Sequence, residues 1–161
     1  IGISQGSQPI LGFNYGAEKY SRVRQTYRYS VTLCTVIATI FFICFQFFPH
    51  QIVGIFGNGS DLYFHFAEKY LRIFMLMTFA NGIQPMSACF FTSIGKARLG
   101  VIMSLTRQVL FLLPLIVIFP VFFGIDGVMY AGPIADTSAF VLAVVFARRE
   151  LGVMKAAEQN A

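Results

Sequence analysis

Four long apolar runs separated by short polar segments dominate the hydrophobic pattern of this chain. They are Val31–Phe48, Ile73–Gly95, Leu99–Phe123, which contains Arg107, and Gly127–Ala147, which contains Asp136. A helix needs about 20 apolar residues to cross the ~30 Å hydrocarbon core of a bilayer. The pattern therefore predicts an all-α, polytopic membrane helix bundle with about four complete transmembrane helices.

Residues 1–17 form a further stretch without charge, but it is rich in glycine and polar side chains. We interpret this stretch as the last part of a helix whose beginning lies outside the chain, so that the chain is a piece of a longer membrane protein. We divide it into the end of one helix (1–20), four full helices (28–57, 62–95, 97–123 and 126–149) and a C-terminal tail (150–161).

Composition and charge support a membrane protein and exclude a soluble one. Only 12% of the residues are charged and 57% are hydrophobic, whereas soluble domains carry about 25% charged residues. The net charge of +5 does not indicate nucleic-acid binding, because nine of the 12 basic residues lie in alternate segments between the apolar runs. Such alternation is typical of cytoplasmic loops. It predicts a multi-pass protein whose C-terminus and tail are cytoplasmic.

The residues needed for common enzyme chemistry are not arranged in a known pattern. The sequence has no Walker motif, no Ser-His-Asp set and no paired carboxylates, and its three cysteines lie singly within apolar runs. Metal sites and disulfide frameworks require closer spacings than these. We therefore expect a protein that is not an enzyme and that has no metal or organic cofactor.

Asp136 is the strongest candidate for a functional side chain, because it lies near the middle of the fourth apolar run. A central aspartate costs about 2.5–3.5 kcal/mol on insertion into the bilayer. It should therefore face protein or a cavity, or be protonated. Two hypotheses remain open: a structural ion pair with Arg107 of the preceding run, or a site for a proton, a cation or a substrate. Arg107 itself either extends toward the headgroups, bonds between helices, or takes part in function.

Amide side chains beside prolines form a second set of candidates. Gln8-Pro9 in Gly6–Pro9 recurs as Gln84-Pro85 in Gly82–Pro85, which indicates a weak internal repeat. Proline frees a backbone carbonyl in a membrane helix, and a neighbouring amide can satisfy it or contact a substrate. The full set of pathway candidates is Gln5, Gln8, Pro9, Asn14, Asn81, Gln84, Pro85, Arg107, Gln108 and Asp136. The alternative is that these amides only join helices to each other.

Three segments, Gly2–Gln25, Ser93–Gln108 and Gly124–Phe140, resemble the multidrug and toxic compound extrusion (MATE) family, in its bacterial multidrug-exporter branch. The resemblance covers nearly the whole chain and is most specific in the sequence QPILGFNYGA. It implies a twelve-helix transporter of two lobes, in which residues 1–20 end helix 8 and the four runs are helices 9 to 12. Asn81 stands where some members carry a carboxylate.

The resemblance implies a secondary-active exporter of small amphipathic, often cationic drugs, coupled to H⁺ or Na⁺. Its partners would be the lipid bilayer and an N-terminal lobe of the same polypeptide, in the cell membrane. Two alternatives remain. A lipid-linked oligosaccharide flippase of the same superfamily should have more cationic groups in its cavity than Arg107. A non-transporting scaffold subunit should have apolar contacts where this chain places glutamine, asparagine and aspartate.

Overall fold

The computed structural model describes residues 1–56 and 60–159, and within these residues it contains helices and no strand. The α-helices are α1 (Gly2–Gly16), α2 (Tyr20–Phe47), α3 (Pro49–Phe56), α4 (Asp61–Phe74), α5 (Ile83–Ser93), α6 (Ala97–Leu105), α7 (Leu113–Phe123) and α8 (Ile125–Gln159). Stretches long and apolar enough to cross a membrane are Tyr20–Phe47, Asp61–Ser93, Ala97–Phe123 and Asp126–Gln159. The all-α membrane bundle with four spans is thus confirmed.

Two helix boundaries differ from the sequence-based division. Helix α2 begins at Tyr20 and ends at Phe47, where Pro49 starts the separate helix α3, because proline fits the first turn of a helix but not its interior. Helix α8 continues to Gln159, through most of the segment interpreted as a tail, because residues 150–159 are mainly good helix formers. The remaining positions of those segments, 57 and 160–161, lie outside the described residues, as do residues 58 and 59.

The second membrane span is broken rather than kinked. Helix α4 ends at Phe74, a single 3₁₀ turn covers Thr78–Ala80, and α5 begins at Ile83. Pro85 therefore lies in the first turn of α5, where a missing N–H costs little because that group has no partner within the helix. Pro9, by contrast, lies inside α1. The repeated Gln-Pro motif thus has two different backbone settings.

Helix α8 is the most buried of the spans. Alanines at every fourth position of this helix are between 0% and 3% exposed: Ala131, Ala135, Ala139, Ala143 and Ala147. Small side chains let neighbouring backbones approach closely in membrane proteins. Gly132 lies close to the Phe74 ring, since a Cβ there would be 2.7 Å from its Cε2. The alanine stripe therefore sets which side of α8 faces the bundle.

The main hydrophobic core joins α1, α2, α5, α6 and α8 around Leu11, Val23, Met86, Phe90 and Met103. Hydroxyl pairs tie its helices together: Ser7 and Ser30 are 2.7 Å apart, and Tyr27 and Ser87 are 2.8 Å apart. Large apolar side chains of α2 and α7 point away from this core and are exposed. That arrangement suits helices whose outer surface contacts lipid or another part of a membrane protein.

Candidate functional site

Half of the sequence-predicted candidates line a single polar cleft between α5, α6 and the π-helical segment Thr106–Leu112 that follows α6. The cleft has a volume of about 420 Å³, and its lining includes Asn81, Gln84, Pro85, Arg107 and Gln108. These residues come from two separate spans, at least 22 positions apart in the sequence. The fold therefore collects the amide and guanidinium groups that the sequence showed only as scattered polar positions.

Gln84 both lines the polar cleft and links two helices. Its side-chain amide donates a hydrogen bond of 2.6 Å to the carbonyl of Met103 in α6, one turn before the π-helical segment begins at Thr106. Segments of π-helix are rare and occur frequently at functional sites. Here the π-helical turn carries Arg107 and Gln108, and Gln84 holds the turn before it against α5.

Arg107, which lines the polar cleft, forms an ion pair with Asp136. The Nε–H of Arg107 donates to Oδ1 of Asp136, and the side chains are 32% and 5% exposed, respectively. Of the two residues, only Arg107 lines the cleft, and the nearly buried carboxylate of Asp136 is not part of its lining. The structure thus contains the Arg107–Asp136 ion pair that was one of the two hypotheses from the sequence. Through this pair, Asp136 is one side chain away from the cleft.

An apolar cleft of about 470 Å³ adjoins the polar one and shares Ile1, Asn81 and Pro85 with it. Its other walls come from α1, α2 and the break between α4 and α5, with Cys34, Phe41, Phe45 and Thr78 among the lining residues. Ser4 also lines it and has a fully buried hydroxyl without a hydrogen-bond partner in the described part of the chain. Apolar and aromatic surface therefore continues directly into a polar wall.

The remaining candidates on α1 are not gathered into either cleft. Gln5, Gln8 and Pro9 are exposed, and Asn14 donates a 2.8 Å hydrogen bond to the Ile10 carbonyl of its own helix. The two copies of the Gln-Pro motif therefore differ in environment: Gln84 is half-buried and bonded, whereas Gln8 faces away from the bundle.

Sequence reasoning missed the apolar wall of this site. Cys34, Phe41 and Phe45 lie in an uninterrupted apolar run, where nothing distinguishes a cleft-lining side chain from one that faces lipid. The sequence signal for this wall is Gly82, a glycine inside the second apolar run. In the structure, a Cβ at this position would lie 2.8 Å from Cys34 Cβ. A glycine that is required for close packing marks the place where the broken span approaches α2.

Comparison with known proteins identifies relatives along most of the chain. The MatE family model matches residues 1–118. The multidrug export protein MepA of Staphylococcus saprophyticus is 25% identical over 159 residues, which cover 97% of this chain and 35% of MepA. MepA of Staphylococcus haemolyticus is 25% identical over 147 residues, 89% of this chain and 31% of that protein. The chain thus spans about a third of the length of these curated relatives.

Comparison with solved structures identifies MATE transporters that share this fold. The MATE multidrug transporter DinF-BH in complex with R6G superposes with a TM-score of 0.86 and 36% identity, over 95% of this chain and 34% of that one. An inward-facing multidrug resistance MATE family transporter of the MOP superfamily gives a TM-score of 0.86 at 16% identity, over 97% of this chain and 36% of that one. The latter likeness concerns the fold alone.

Proposed function

Since the chain belongs to the MatE family, we propose that it forms part of a secondary-active multidrug exporter in the cell membrane. The whole protein would move small amphipathic, often cationic compounds outward in exchange for H⁺ or Na⁺. Because the chain spans about a third of its relatives' length, we assign it part of one lobe and the other lobe to the same polypeptide. The relatives are a multidrug export protein and a multidrug transporter by name, not enzymes.

The adjoining clefts carry this proposal, because together they fit an amphipathic molecule. Phe41 and Phe45 in the apolar cleft offer surface for the rings of such a compound. Asn81 and Gln108 in the polar cleft offer amide oxygens for its polar end. Asp136 balances the charge of Arg107, so the polar cleft does not present an uncompensated positive charge that would repel a cationic compound.

We assign ion coupling to the Arg107–Asp136 pair. A proton or Na⁺ that binds the Asp136 carboxylate weakens its attraction for Arg107, and Arg107 borders the substrate cleft. Ion binding at Asp136 would therefore change the charge and position of a group that faces the substrate. In this mechanism Asp136 does not contact the substrate. Arg107 instead links ion binding at Asp136 to the substrate cleft.

The test uses the full-length protein in proteoliposomes with an imposed H⁺ or Na⁺ gradient and R6G as the probe. We expect Asp136→Asn to abolish gradient-driven R6G movement, whereas the folded fraction of this less stable variant still binds R6G passively. The matched control is Asp126→Asn, which removes an exposed aspartate at the start of α8 and should leave transport unchanged. Normal transport by Asp136→Asn would remove this residue from the coupling mechanism.

The alternatives predict other cavity chemistry. A lipid-linked oligosaccharide flippase needs cationic groups for its pyrophosphate, but the one basic side chain that lines the two clefts among the described residues is Arg107. A scaffold subunit needs no open polar cleft. Substitution of both Asn81 and Gln108 by leucine should lower R6G transport if the polar cleft holds substrate. Unchanged transport would place the substrate outside this cleft, and absence of R6G transport by the unsubstituted full-length protein would favour a scaffold.

The orientation follows from the basic segments, and we propose that Arg98 and the C-terminus face the cytoplasm while Ser60 faces outward. Single cysteines at these two exposed positions, in a full-length protein without other cysteines, test the assignment. An impermeant maleimide should label position 60 but not position 98 in intact cells. The reverse pattern would invert the topology.

A further inference from the structure

A second polar cavity, with a lining distinct from that of the substrate clefts, lies at the basic end of the bundle. It has a volume of about 430 Å³ and is lined by Ser21, Arg24, Gln25, Arg28, Tyr29 and Lys155. None of these residues lines either substrate cleft. The cavity lies where the N-terminal part of α2 meets the C-terminal end of α8.

The lining residues of α2 form one continuous face of the helix. Positions 21, 24, 25, 28 and 29 follow the spacing that places side chains on a single side of an α-helix. The other side of the same turns is buried in the core through Val23 and Tyr27. The polar face is therefore held rigidly by the packing behind it, and the end of α8 closes its side.

The cavity carries an excess of positive charge. Arg24, Arg28 and Lys155 line it, and Glu158 forms an ion pair with Arg24 at its edge. One carboxylate against three cations leaves two positive charges. Arg28 and Lys155 are exposed, so their N–H groups are available to a ligand.

The depth of the cavity matches the headgroup layer. The apolar run of α2 starts at Val31, so Arg28 and Arg24 lie about 5 and 10 Å beyond its edge at 1.5 Å per residue. Tyr29, which is 67% exposed, lies between them and the apolar surface, where tyrosines of membrane proteins are enriched. A ligand that has both a phosphate and acyl chains could place the first on the cations and the second along α2.

We propose that this cavity binds the phosphate of an anionic lipid headgroup, held by Arg28 and Lys155 and closed by the Arg24–Glu158 pair. Basic pockets between membrane helices on the cytoplasmic side are suited to such headgroups. The bound lipid would join the start of α2 to the end of α8. Phosphate is the recognised group, and the acyl chains distinguish a lipid from free phosphate.

The test measures lipid binding to the purified full-length protein by native mass spectrometry, with cardiolipin as the probe and phosphatidylcholine as the zwitterionic reference. Arg28→Gln and Lys155→Gln should each weaken cardiolipin binding about fivefold, the effect of one cation near an anionic headgroup. Arg149→Gln is the matched control, because it removes an exposed cation from the same end of α8 outside the cavity. It should have a much smaller effect.

A gain-of-binding variant guards against effects of misfolding. Glu158→Gln removes the carboxylate that neutralises Arg24, so it should tighten cardiolipin binding. Equal loss in Arg149→Gln and Arg28→Gln would overturn the proposal in favour of diffuse attraction. Full displacement of the lipid by inorganic phosphate would overturn the lipid assignment, and no tightening in Glu158→Gln would exclude Arg24 as part of the site.

Discussion

Two ion pairs on α8 have the same chemistry but differ in how far they are buried. Asp126 at the start of the helix pairs with Lys69 at 3.2 Å, and the side chains are 54% and 47% exposed. Asp136, ten positions further along, pairs with Arg107 and is 5% exposed. Water or headgroups can replace a partner of Asp126, whereas Asp136 depends on Arg107. The coupling role that we propose for Asp136 rests on this difference in burial.

The largest expected effect comes from removal of one partner of the deep pair. Asp136→Asn in the full-length protein should lower the free energy of unfolding by about 3–5 kcal/mol, because Arg107 then keeps an uncompensated charge. The double variant Arg107→Gln/Asp136→Asn should recover most of this loss, since neither charge remains. Reversible unfolding in mixed micelles measures both. Equal instability of single and double variants would contradict a direct pairwise interaction.

A third ion pair on α8, intermediate in burial, tests what sets the stability lost when one partner is removed. The two possibilities are burial of the pair and its position along α8. Lys96 contacts both carboxylate oxygens of Glu150 at 2.6 Å, and the Glu150 side chain is 12% exposed. Lys96→Gln should therefore cost about 1.5–3 kcal/mol, as expected for hydrogen bonds to a charged group. The same unfolding assay applies. A cost as small as that at Lys69 would show that burial of Glu150 contributes little.

A neutral polar contact at the level of the deep pair should cost less. Gln84→Leu removes the 2.6 Å hydrogen bond to the Met103 carbonyl and should lower stability by about 0.5–1.5 kcal/mol. Gln108→Leu is the matched control, because Gln108 lines the same cleft but is exposed. If both variants lose the same stability, the bond from Gln84 does not hold α6 against α5.

The smallest effect is expected at the shallow pair. Lys69→Gln should change the free energy of unfolding by less than about 1 kcal/mol, because exposed ion pairs gain little over solvated charges. Raised salt should reduce even this difference, since it screens exposed charges. A loss comparable to that of Asp136→Asn would mean that Asp126 is enclosed in the full-length protein.

The Gln-Pro repeat shows where sequence reasoning stops. Gln8 and Gln84 have similar local sequences, yet only Gln84 lies in the polar cleft. Hydropathy describes how apolar a helix is but not how far it is rotated about its axis. For α8 the alanines at every fourth position were a readable sign of that rotation. For α1 the sequence contains polar groups on several sides and no comparable sign.

The sequence by itself determined the helical class, the number of spans and the candidate polar residues. It could do so because the cost of placing a charge or an open backbone group in lipid is local to each segment. Only the tertiary structure decided that Arg107 meets Asp136, that Asn81 and Gln84 share a cleft with Gln108, and that Arg28 and Lys155 line the same cavity. These contacts depend on helix rotation and close approach, which are set by packing between distant segments.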